Sequence, residues 1–138
     1  MIKTDYARWL VNVLVLVLLA GCARRGTDLP DVGMALEISP DPPQLGAAAI
    51  VVDLSDRADQ PITGATVELE GNMNHAGMVP VLSEAQEVAP GRYQADFEFT
   101  MGGDWYILVR AQLPDGRSME RQVDVPGVDL VCGETPAP

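Results

Sequence analysis

Seven short apolar runs, turn residues between them and the lack of any amphipathic helical stretch predict an all-β domain. The expected architecture is an immunoglobulin-like β-sandwich of about seven strands in under 100 residues. A small β-barrel is the alternative that the same pattern allows. The elements follow in chain order. "MALEIS" alternates through Met34, Leu36 and Ile38, "AAAIVVDLSD" is a more continuous apolar run, and "ATVELE" alternates through Val67 and Leu69. Short runs near Val79 to Leu82 come next. "RYQADFEF" sets Tyr93, Ala95, Phe97 and Phe99 on one face against Gln94, Asp96 and Glu98 on the other. "DWYILVRAQ" does the same with Trp105, Ile107, Val109 and Ala111 against Tyr106, Leu108, Arg110 and Gln112. "SMERQVDV" closes the series, alternating less cleanly through Met119, Arg121, Val123 and Val125. The breaks "PDPP", "DRADQP", "APG", "MGG" and "PDG" carry the glycine, proline and aspartate that turns require.

The step Pro90-Gly91-Arg92-Tyr93 entering a strand resembles a tyrosine corner, in which the hydroxyl bonds back to the backbone across a turn. Antibody domains place a disulfide cysteine two residues beyond that tyrosine. Here the position is Ala95, in keeping with a chain that has only two cysteines.

The N-terminal residues do not belong to the sandwich. A polar start with Lys3 and Arg8, the apolar run Leu10 to Ala20 and the sequence Leu19-Ala20-Gly21-Cys22 have the layout of a secretory signal. The apolar run is too short for a permanent span, which needs about 20 residues. Leu19 to Cys22 resembles a bacterial lipobox, so residues 1–21 read as a lipoprotein signal peptide and Cys22 as a lipidated N-terminus. Fatty acyl chains, palmitate among them, contribute about 0.8 kcal/mol per buried methylene, and several together hold a domain at the bilayer. Residues 22–32 read as lipidated cysteine and tether, 33–126 as the sandwich and 127–138 as a flexible tail. The expected location is the extracytoplasmic side of the cell envelope, the periplasm in a Gram-negative cell. Ala23 and Arg24 lack the aspartate that commonly retains lipoproteins at the inner membrane, which points to the outer one. With Cys22 acylated, Cys132 has no intramolecular partner and reads as a thiol, so packing holds the domain.

From Cys22 onward the chain keeps 7 basic and 19 acidic side chains, a formal charge of −12. Such a field repels phosphates, and nucleic acid is excluded as a partner. No Gly-x-Ser-x-Gly elbow, phosphate-cradling loop, His-Glu-x-x-His pair or cysteine-histidine couple is present. Glu68 and Glu70 stand on the polar face of a strand and read as a solvated edge, so no enzyme is expected.

"EGNMNHAGMVP" is different, because Met73, the chain's only histidine His75, and Met78 stand in a frame of turn-forming residues. If the strand ends near Glu70, side chains two apart bring Met73 and His75 to one side, and Gly77 lets Met78 fold back toward them. "FTMGGDW" puts Met101 in another glycine-rich bend. Thioethers with imidazole select Cu(I) over hard cations, and no carboxylate stands between Gly71 and Val81 to suit calcium or magnesium. The plain alternative is that the methionines fill an irregular core or make contacts with a protein partner. Met34 and Met119 fall within strand patterns and read as packing residues.

Taken together, the Met/His turn, the Pro90-Gly91-x-Tyr93 step and Phe99-x-Met101-x-Gly103-x-Trp105 resemble the YtkA-like domain, related to the FixH-like proteins. The resemblance runs from about Ala35 to Val125. It implies a small extracytoplasmic β-sandwich concerned with copper trafficking, tolerance or assembly of copper-containing respiratory oxidases. It also implies a copper-donor, copper-acceptor or oxidase-assembly partner. By position it implies Met73, His75, Met78 and Met101 as Cu(I) ligands, with Trp105 either shielding the metal or filling the core.

Overall fold

In a computed structural model, residues 29–129 are described. The signal peptide, Cys22, most of the tether and the tail from residue 130, Cys132 included, lie outside the described residues. The strands are β1 (Gly33–Ser39), β2 (Gly46–Ser55), β3 (Thr66–Met73), β4 (Val81–Ala89), β5 (Arg92–Phe99), β6 (Gly103–Gln112) and β7 (Ser118–Val128).

Alternation is the reason these segments are strands, and it is clearest in β5 and β6. Tyr93, Ala95, Phe97 and Phe99 of β5 are buried while Gln94, Asp96 and Glu98 are exposed, and Trp105, Ile107, Val109 and Ala111 of β6 are buried in the same rhythm. In β2, Ala48, Ile50, Val52 and Leu54 are buried while Ala47 is exposed and Ala49 and Val51 are half-buried. Its apolar run reads as continuous because β1 and β5 flank it on both edges.

All ladders are antiparallel and the order is β1-β2-β5-β4-β3-β6-β7. β4 divides this order into two layers. Its first half, Val81 to Ala85, pairs with β3, whereas Gln86 to Ala89 pair with β5 through an irregular step at Glu87. The chain therefore crosses from one layer to the other within a single strand. That crossing explains why β4 was legible only as short runs near Val79 to Leu82. A strand that changes layers keeps no constant inward face, and only Ala85 of β4 is buried.

The core lies between the layers. Phe97 and Phe99 of β5 meet Trp105 of β6 edge-on, at ring-centroid distances of 6.2 and 5.3 Å, and meet each other at 5.1 Å. Gly71 of β3 makes room for this cluster, since a Cβ there would collide with the Phe97 ring. On the other side of the sandwich β1 and β7 share no ladder. The chain between β1 and β2 approaches the end of β7 instead, with the Leu45 N–H donating to the Asp129 carbonyl at 2.8 Å. The seven strands thus form a nearly closed, immunoglobulin-like sandwich.

Two boundaries differ from the sequence reading. Val32, placed in the tether, is buried, and β7 runs on to Val128, also buried, into the stretch read as tail. The tyrosine corner forms with a different placement. The Tyr93 hydroxyl donates to the Ile62 carbonyl at 2.8 Å and accepts the Ala65 N–H at 3.0 Å, so it ties down the loop between β2 and β3. Its strand lies beside β2 in the first layer, not against β3 as in antibody domains. Desolvation first, and the nearby Glu87 carboxylate after it, push the phenol above its ordinary pKa and keep it a donor.

Candidate metal centre

At one end of the sandwich, the loop from β3 to β4 and the bend from β5 to β6 enclose an open cleft of about 460 Å³. Its walls run from His75 to Val81 and include Thr100 and Met101. The loop can form this wall because Gly77 adopts φ +86°, a left-handed conformation that a side chain would strain. His75 is exposed, Met78 is half-buried and packs against the core, and Met101 is 40% exposed. Three of the four sequence-predicted donors therefore line one cleft, and no carboxylate stands in its lining.

Met73 is placed otherwise. It is 6% exposed, pairs in register with Trp105 and directs its methyl carbon toward Gly103, where an added Cβ would lie 3.0 Å away. β3 does not end near Glu70 but continues to Met73, which shares parity with the buried Val67, Leu69 and Gly71. The two-residue rule fails after Met73 because the strand stops there, so His75 stays in the solvent-facing bend and does not join Met73 on one side. Met73 has a core to enter, contrary to its reading as a turn residue. Met34 and Met119 pack against or within the core, as their strand patterns require.

Trp105 is a core residue with a second task. Only 2% exposed, it donates its indole N–H to the Met101 carbonyl at 2.9 Å. The aromatic cluster thereby fixes the main chain that carries the Met101 thioether. Sequence reasoning considered Trp105 only as shield or filler; the four-residue spacing from Met101 was the available sign of this bond.

Among the described residues no three His, Cys, Asp or Glu side chains gather into a group able to hold a metal. Metal binding at this end would therefore rest on sulfur with a single imidazole, a set suited to a soft cation. Glu70 stands close by in β3, outside the lining. The Asn72 amide donates to it at 3.0 Å and Arg110 at 2.6 Å, and these bonds lower its pKa.

Arginine is sorted along the long axis, while carboxylates stand at both ends. The five described arginines, Arg57, Arg92, Arg110, Arg117 and Arg121, all lie in the half away from the cleft. Arg92 bridges Glu37 and Asp53, Arg110 bridges Glu70 and Glu120, and Arg117 bridges Asp31 and Asp115. Glu98 and Asp104 flank the Met101 bend, and no arginine is in the lining of the cleft.

Among solved structures, the PmoD soluble domain from Methylocystis sp. ATCC 49242 is similar at 15% identity, over 74% of this chain and 94% of that one, with a TM-score of 0.47. Murine CRIg is similar at 15% identity over 71% and 98%, with a TM-score of 0.41. MtrC from Shewanella baltica OS185 is similar at 13% identity over 78% of this chain and 23% of its own, with a TM-score of 0.45. No curated protein matches the sequence. The YtkA-like family profile matches residues 29–110, from just before β1 through most of β6, and includes the whole cleft; the chain belongs to the YtkA-like family.

Proposed function

We propose that this protein is a non-enzymatic copper carrier that holds Cu(I) in the cleft through Met78, Met101 and His75. One observation carries the reading: two thioethers and the chain's only imidazole line one open cleft that contains no carboxylate. Soft donors without oxygen ligands favour Cu(I) over calcium, magnesium or manganese. Membership in the YtkA-like family supports the same reading. The open cleft suits handover to a donor, an acceptor or an oxidase-assembly partner, in copper trafficking or tolerance. Met73 belongs to the wall behind the cleft and supports the site by packing. The lipobox-like Leu19 to Cys22 supports attachment to the envelope through an acylated cysteine.

The test is competition for Cu(I) between the purified protein and a chelator of known affinity. His75→Ala, Met78→Ala and Met101→Ala are each expected to weaken binding by about tenfold or more, since loss of even an outer-shell partner of a metal ligand costs that much. Unchanged affinity in all three would sink the proposal. A second reading, an adaptor that docks on a membrane complex without metal, is favoured by one feature: Val79 beside the cleft is 80% exposed.

A further inference from the structure

The cleft opens beside an apolar surface that folding leaves uncovered. Val79 is 80% exposed, Leu82 73% and Met101 40%, and the first and last of these line the cleft. Leu82 begins the outer face of β4, directly across from Glu70 in β3. Isolated exposed aliphatic residues need no explanation, but three grouped at one end of a small domain mark a contact surface. The charges beside them are mostly acidic. Glu84 follows Leu82 on the same face, Glu98 closes β5 just before the Met101 bend, and Asp104 follows that bend. Arg110, which reaches Glu70 across from Leu82, is itself bridged by both Glu70 and Glu120, so the balance stays acidic.

These features select the occupant. An anionic lipid surface and nucleic acid are repelled by the acidic rim, and a second copy would bring the same rim against itself. An apolar centre beside a net acidic rim matches an interface whose other side has an apolar centre ringed by basic side chains. We propose that Val79, Leu82 and Met101 form the docking face for a partner protein whose contact surface is aliphatic or methionine-rich at its centre and carries lysine and arginine around it. Docking there covers the mouth of the cleft. The inference deepens the copper-carrier reading by naming the chemistry of its partner, yet the surface exists without metal and is tested without it.

The experiment uses 15N-labelled protein from Ala23 onward, which contains every strand of the packed fold, with a copper chelator present. The probe is a synthetic amphipathic lysine-leucine peptide, and a lysine homopolymer of equal charge is the control. The largest amide shifts are expected at Val79, Leu82 and Met101. Binding is expected to weaken about tenfold between low and high salt, because screening shortens the reach of exposed charges. Leu82→Glu and Val79→Asp, at positions too exposed to disturb folding, are each expected to weaken the peptide about tenfold while amide dispersion is retained. Shifts centred on the arginine-bearing end, equal binding of the homopolymer, or indifference to both substitutions overturns the proposal. Because chelator is present, failure here leaves the Cu(I) titration to be judged on its own.

Discussion

The two ends of the sandwich are built on different rules. At the end away from the cleft, side chains tie the loops down. Tyr93 holds Ile62 and Ala65, Glu87 accepts from the Gly64 and Gly91 amides at 2.9 and 3.1 Å, and Asp56 caps its own turn through Ala58 and Gln60. At the cleft end the loop from His75 to Pro80 displays its side chains to solvent except Met78, which packs against the core, and the neighbouring bend is anchored by the Trp105 bond to Met101. Side-chain bonds to loop backbone are concentrated at the end away from the cleft. The open end keeps its donors accessible and relies on a rigid floor of aromatic rings, so stability and ligand affinity are separable by mutation.

Tyr93→Phe should break the closed end most severely. It strands the Ala65 amide and the Ile62 carbonyl beside a fully buried ring, at a cost of about 2 kcal/mol. Denaturant unfolding should show that loss while Cu(I) affinity stays at its original value. Trp105→Phe attacks the other end. Losing the indole N–H frees the Met101 carbonyl and trims the core, for about 1.5 kcal/mol of stability. Here Cu(I) affinity should also fall, by about fivefold, because the thioether's backbone is no longer fixed. An unchanged affinity would show that the bend holds Met101 without the tryptophan.

The smallest effect lies between the ends, at Glu70. Its pKa is held down by the Asn72 amide first and the Arg110 guanidinium second. A depressed carboxylate contributes stability that is complete above its unfolded pKa, near 4.5, and is lost as pH falls through the lower folded value. Glu70→Gln should therefore flatten the acid limb of the stability curve by less than about 1 kcal/mol, after screening of a partly exposed pair. Comparing unfolding midpoints at pH 6 and pH 3 for the two proteins measures it.

Much of this was legible in the sequence where one rule operates at a time. β5 and β6 keep one face inward along their whole length, so counting by twos located Tyr93 and Trp105 on the buried side. β4 escaped the same count because it serves two layers. Met73 escaped for a subtler reason. Its parity with Val67 and Leu69 was visible, but the asparagines around it suggested a turn, and the strand outlasts that signal. The bond from Trp105 to Met101 and the separation of arginines from the cleft depend on which strands become neighbours. Neither is a property of any local stretch.

The place where the chain enters the sandwich also bears on how the domain would stand at a surface. The described chain begins at Leu29, near Asp31 and its partner Arg117, and so enters the sandwich at the end where the arginines gather. A body held by a tether at that end has its opposite end, with the His75 loop, farthest from the point of attachment. Beside an anionic leaflet the excess of carboxylates over the whole domain would push it outward, with the His75 loop toward the aqueous space.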